Sequence, residues 1–176
     1  MTPTLFQQVL GAPFFTMPEA LRRLHASRGQ VRNAGRATTT RARNPLARLC
    51  AGAAGLPRAA ADVPTTVDFI SDGKGETWKR MFGGVRMDSR LWCREGDLYE
   101  RLGPLRLRYE LHINEGALYW NVASVRLLRV LPLPAGLFSE VRCREREHEG
   151  RYEFLVEAAL PLVGPVIRYE GWLEPA

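Results

Sequence analysis

From Val63 onward, apolar and polar residues alternate with a period of two, the spacing of strands with one face buried and one in water. Turn-forming residues break this alternation at intervals of about ten residues. They are Asp72-Gly73-Lys74-Gly75, Gly83-Gly84, Glu95-Gly96, Gly103-Pro104, Glu115-Gly116, Glu149-Gly150 and Val163-Gly164. Residues equidistant from a tight turn face each other on one side of a sheet. Folding the sequence about Gly83-Gly84 therefore sets Phe82 opposite Val85, Arg80 opposite Met87 and Trp78 opposite Ser89. About Glu95-Gly96, Cys93 meets Leu98 and Leu91 meets Glu100. About Gly103-Pro104, Leu102 meets Leu105 and Glu100 meets Leu107. About Glu115-Gly116, Ile113 meets Leu118, Leu111 meets Trp120 and Tyr109 meets Val122. The loop at Asp72 to Gly75 sets Phe69 against Trp78 and Val67 against Arg80.

All five hairpins put their apolar residues on one common face, and a one-residue slip in any of them would mix the faces. The other face carries Lys79, Arg86, Asp88, Arg90, Arg94, Asp97, Arg101, Arg106, Arg108, Glu110 and His112. The last third behaves alike. Val141, Cys143 and Glu145 face Ala158, Val156 and Phe154, while Leu160 and Ala158 are expected opposite Ile167 and Tyr169. About nine or ten strands cannot stay flat. The expected fold is thus α+β but mostly β, a curved antiparallel meander or barrel with short N-terminal helices.

Before Val63 the pattern is helical. Thr4 is placed to cap Leu5–Leu10, and Pro18 suits the first turn of a helix whose apolar edge is Leu21 and Leu24. Asn44-Pro45 reads as a cap and first-turn proline, with Leu46, Leu49, Cys50 and Ala53 on one face and Gly55 as the stop. Val31 to Arg43, rich in Thr and small residues, is a candidate strand.

Hydrophobic and charged contents of 45% and 25% are those of a globular chain, expected as one domain over 1–176. No apolar run approaches a membrane span, and Met1 to Leu10 lacks a secretory pattern. Cys50, Cys93 and Cys143 are odd in number and far apart, so reduced thiols and a cytoplasmic location are expected. Charge is uneven. Residues 1–61 carry nine arginines and one acid, Glu19, whereas 62–176 carry sixteen basic and eighteen acidic groups. An anionic nucleic-acid or membrane partner is one reading of the basic third. The plainer reading, preferred on sequence alone, is that arginine is the default surface cation, because Lys74 and Lys79 are the sole lysines.

There is no G-x-G-x-x-G, P-loop, G-x-S-x-G, H-E-x-x-H or C-x-x-C motif, and His25, His112 and His148 are scattered, so no metal or cofactor is expected. The informative feature is polar residues at inward positions: Arg80, Ser89, Glu100 and Glu145. Buried charges are costly unless paired, and Arg80 can reach Glu100 across Ser89. Such a pair can fix strand register. It can form the polar floor of an apolar cavity that orients an amphipathic ligand. It can also serve catalysis, with Glu100 as base and Arg80 holding an anion. Trp78, Tyr109, Trp120 and Tyr169 line the same face, Tyr152 also points inward, and His25 would join them if its helix covers the barrel. Outside, Trp92 faces Tyr99 with Arg108 beside it, an aromatic pair with a cationic neighbour, and Trp172 falls outward where a helix or partner would cover it.

Leu5-Phe6-Gln7, Leu21 to His25, Glu76 to Phe82, Glu100 to Pro104, Pro132-Leu133-Pro134, Gly150 to Phe154, Pro161 to Gly164 and Arg168 to Leu173 together resemble a bacterial family, domain of unknown function 4166. The resemblance runs nearly the length of the chain. It implies no established activity. Family members resemble stand-alone proteins or modules joined to a dinucleotide-binding oxidoreductase domain, which implies an accessory or ligand-holding role. The leading expectation is non-catalytic binding of a small apolar or amphipathic ligand at Trp78, Arg80, Ser89, Glu100, Tyr109, Trp120, Glu145, Tyr169 and His25. Docking on an oxidoreductase partner through the basic third and catalysis by Glu100 with Arg80 are the alternatives.

Overall fold

The computed structural model describes residues 2–128 and 130–176. Helix α1 (Leu5–Leu10), a 3-10 turn (Ala12–Thr16) and α2 (Glu19–His25) precede strand β1 (Gln30–Arg41) and helix α3 (Pro45–Ala53). The wall continues with β2 (Ala60–Ser71), β3 (Glu76–Phe82), β4 (Val85–Arg94), β5 (Asp97–Leu102), β6 (Leu105–Asn114) and β7 (Ala117–Leu127). After the short β8 (Leu131–Leu133) and a 3-10 turn (Ala135–Phe138) come β9 (Val141–His148), β10 (Arg151–Leu160) and β11 (Gly164–Pro175).

Strands β1 to β7 pair antiparallel in succession, β9 pairs with β7, and β11 returns to β1. Ten strands thus form a closed ring, and β8 remains a three-residue spur on β7. Closure leaves no long unpaired edge. The five hairpin registers expected from the turns are those observed. The exception is the last hairpin. Ala158 lies opposite Ile167 and Val156 opposite Tyr169, with a bulge between Ala158 and Ala159. The turn from Leu160 to Gly164 is therefore longer than Val163-Gly164 implies. Because the register moves by two residues, every side chain keeps its expected face.

The two ends differ. At one end, which carries the Asp72–Gly75, Glu95-Gly96, Glu115-Gly116 and Glu149-Gly150 hairpins, α1 and α2 fill the barrel. Phe6 and Leu21 are fully buried there, packed with Leu24, Trp78, Leu91, Leu98 and Leu118. Thr4 ties α1 to α2. Its N–H donates to Gln7 Oε1 at 2.8 Å, and its hydroxyl donates to the carbonyl of His25 at 2.9 Å. This is the plugged end.

At the opposite, mouth end, α3 lies over β11. Asn44 Oδ1 accepts the N–H of Leu46 at 2.8 Å, the expected cap, and Asn44 Nδ2 donates to the carbonyl of Val163 at 3.2 Å. Leu46 and Leu49 share a face, as expected, but that face is not the one packed on the barrel. Ala47 and Ala51 pack on Val166 with no exposed surface, while Leu46 and Leu49 are 52% and 68% exposed. Only methyl side chains allow so close an approach to an already closed wall, so the helix turns its larger apolar face outward. Trp172 is outward as expected, but its cover is the Arg151 guanidinium, 4.6 Å from the ring centroid, rather than a helix.

Candidate functional site

Inside the wall, polar side chains are stacked in two layers above the plug. In the lower layer His25 Nε2 lies 2.6 Å from Glu145 Oε2, with both side chains buried. The His25 ring packs 3.7 Å from that of Phe6. Glu76 accepts a hydrogen bond from Trp78 Nε1 at 2.9 Å. Burial raises the Glu76 carboxyl above its ordinary value, opposed by the Trp78 bond and by the neighbouring His25.

The upper layer is built by three adjacent strands, β3 to β5, with β6 behind. Arg80 Nη1 donates to Ser89 Oγ at 2.9 Å, and Nη2 faces Glu100 Oε1 at 3.5 Å. Its guanidinium carbon lies 4.8 Å from the Trp78 ring centroid. Glu100 Oε2 accepts the Tyr109 hydroxyl at 2.9 Å. Arginine carries five N–H donors in a planar fork, so these two protein bonds leave part of its capacity unused. Trp120 Nε1 is buried with no hydrogen-bond partner among the described residues.

Above this floor is a cavity of about 310 Å³. Met87, Leu102, Leu107, Val156 and Ile167 form much of its wall, and Cys50, Ala54, Leu56, Pro104, Leu127 and Phe138 lie towards the mouth. Seven of the nine candidate residues line it: Trp78, Arg80, Glu100, Tyr109, Trp120, Glu145 and Tyr169. Two do not. Ser89 sits beyond Arg80, and His25 does not reach the cavity because Glu145 comes between.

Burial, then the Glu100 charge, pushes the Tyr109 phenol well above its usual range, and burial likewise raises Tyr169. Burial and the nearby carboxylates of Glu100 and Glu145 also push the Cys143 thiol up. A thiol held protonated is a poor nucleophile or metal ligand, so Cys143 contributes an apolar wall. Cys50, Cys93 and Cys143 are all free.

Two residues of the interior, Glu76 and Cys143, are not singled out by the sequence pattern. Glu76 precedes the inward Trp78 by two residues and so shares its face, but its place beside a turn masked its burial. Parity places Cys143 inward but gives no sign that it lines the cavity. On the outer surface Trp92 and Tyr99 stack at 5.6 Å with planes 12° apart. Arg108 turns away from them to Asp97, at 3.0 Å.

The whole is a closed antiparallel barrel plugged at one end, with a hollow above a charged floor. The chain belongs to the family Domain of unknown function (DUF4166), whose model matches residues 17–173. Its fold is similar to that in the crystal structure of Rv2717c from M. tuberculosis, at 14% identity, over 91% of this chain and 99% of that one, with a TM-score of 0.50. At that identity the likeness is one of fold alone. Comparison with curated proteins finds no match.

Proposed function

We propose that the protein binds a small apolar or amphipathic ligand in the barrel cavity. The observation that carries this reading is a hollow with apolar walls at the mouth and a hydrogen-bonded cluster of charged and hydroxyl groups, Arg80, Glu100 and Tyr109, at its floor. Ligand pockets combine these features, with polar groups setting orientation and apolar walls supplying affinity. The cavity volume is near the lower end of the usual range of about 300–1,000 Å³, which favours a compact ligand. Arg80 has donors to spare, so the head group it suits is an oxygen acceptor such as a carboxylate or carbonyl.

The test is native mass spectrometry of freshly purified protein, followed by titration with dodecanoate as probe. A stoichiometric small molecule or saturable dodecanoate binding is expected. Arg80→Met should weaken the probe by roughly tenfold, the loss of one charge-assisted contact. A bare chain that rejects dodecanoate and neutral lipophilic dyes would end the proposal. A catalytic role for Glu100 would show instead as turnover of a bound ligand that Glu100→Gln abolishes while binding persists.

A further inference from the structure

The hairpin tips at the two ends use the same backbone slot for opposite chemistry. At the plugged end Glu95, Glu115 and Glu149 occupy positive-φ positions, with φ of 56°, 48° and 51°. At the mouth end Leu128 and Leu162 occupy such positions, with φ of 50° and 65°. A branched apolar residue is disfavoured in this conformation. Leu162 is nevertheless fully exposed and Leu128 is 67% exposed, so neither gains packing that would offset the strain. The third non-glycine there, Asp62, is held within β2 by Arg36.

Leu46, Leu49, Val130 and Leu131 are also more than half exposed, and all lie at the mouth end. At the plugged end Phe15 alone of the large apolar residues described is so exposed. The mouth-end side chains stand on α3, on the β10–β11 turn and on the segment after β7, whose neighbours Ala54, Leu127 and Leu160 line the cavity. Helix α3 contacts the β10–β11 turn through Asn44 and Val163. Leu128 donates its N–H to the carbonyl of Pro104, in the β5–β6 turn, at 2.8 Å.

The same end is positively charged. Arg41, Arg43, Arg48 and Arg58 line one surface depression beside α3. Arg41 is bound to the carbonyls of Leu56 and Pro57, and none of the four has an acidic partner among the described residues. On the outer wall Arg101, Arg106 and Arg126 are directly opposite one another across β5, β6 and β7. Like charges so placed repel unless an anion lies over them.

We infer that the mouth end docks on the surface of an anionic lipid bilayer, with the leucines entering the headgroup boundary and the arginines meeting the lipid charges. Exposed apolar side chains borne on separate loops and on α3 suit a fluid interface, which adapts to each, better than a rigid protein face, which would have to be shaped to all. Apolar side chains flanked by arginine are the ordinary composition of interfacial segments. No helix among the described residues is long and apolar enough to cross a membrane, so this is attachment at the surface. The orientation turns the cavity entrance towards the lipid. Docking stands on its own geometry and does not depend on the ligand reading.

The experiment is flotation of the full chain with phosphatidylcholine vesicles, and with vesicles in which roughly a third of the lipid is phosphatidylglycerol. Binding to the anionic vesicles alone, weakened by salt, is expected. Leu128→Asn with Leu162→Asn should reduce it on the order of tenfold per leucine, with stability kept or raised because asparagine tolerates positive φ. Replacing Arg43, Arg48 and Arg58 with Gln should reduce it roughly fivefold per charge. Absence of binding to either vesicle would overturn the inference. So would binding that the arginine variant abolishes but the asparagine variant leaves intact, which is adsorption without insertion. Retention of duplex DNA with no vesicle binding, or a dimer in sedimentation that the asparagine variant disperses, would assign the surface to a nucleic acid or a second copy instead.

Discussion

Helices α1 and α2 enter one end of the barrel with Phe6, Leu21 and His25, none of which is appreciably exposed, whereas α3 lies across the other end on Ala47 and Ala51. The first arrangement buries aromatic and branched side chains in quantity and pairs several polar groups: Thr4 with the His25 carbonyl, His25 with Glu145, and the N–H of Ala20 with Glu147 at 2.6 Å. The second buries little more than methyl groups and leaves a hollow beneath. Stability is concentrated where side chains interlock, and regions with few buried contacts are the ones that open. One end is therefore expected to hold the barrel together, and the other to open first.

The largest effect should come from the plug. Phe6→Ala removes a fully buried ring and should cost about 3–5 kcal/mol in urea unfolding. A loss under about 1 kcal/mol would mean the plug is peripheral and the contrast false. Next, His25→Leu deprives Glu145 of its partner inside the barrel, at about 3 kcal/mol. Adding Glu145→Leu should recover much of this, because the uncompensated charge is then gone.

A smaller, pH-dependent effect is expected at Glu76. Its carboxyl is raised above the ordinary 4.5 in the fold. The stability it contributes is complete below that value and is lost as pH rises through the folded one. Glu76→Gln, which keeps an acceptor for Trp78, should thus stabilise at neutral pH and have no effect near pH 4. Melting temperatures at the two pH values decide it, and an equal gain at both would sink the titration account. The smallest effect belongs to the mouth. Leu49→Ser should change stability by no more than about 0.5 kcal/mol, and a large loss would show that α3 packs its leucines after all.

Much of the wall could be read from the sequence because a period of two admits no intermediate answers. Trp78, Arg80 and Glu100 are either all inside or all outside, and each hairpin had to agree with the next. The floor followed from the same parity. The helices were less legible. Leu46 and Leu49 share a face, as the sequence implies, but periodicity says only which residues lie together and not which face meets the core. That choice was made by Ala47 and Ala51, whose small size permits contact with β11. The failure of His25 to reach the cavity has a similar origin. Its position depends on how deeply α2 enters the barrel, which depends on side-chain volume summed over both helices and not on any local pattern.

The seam between β1 and β11 sets the order in which the molecule can assemble. Seven of the nine other junctions in the ring are hairpins whose partners are close in sequence, so each can form early and on its own. The seam instead pairs Asn33 with Pro175 and Ala37 with Gly171, and its backbones come so close that a methyl group on Gly35 would stand 1.9 Å from the Trp172 carbonyl oxygen. Chain entropy delays such a contact, and it has little tolerance for error. Refolding should therefore pass its main barrier when the meander curls and the first strand meets the last. Gly35→Ala would slow that step far more than Gly84→Ala at a hairpin tip, a difference that stopped-flow tryptophan fluorescence would measure.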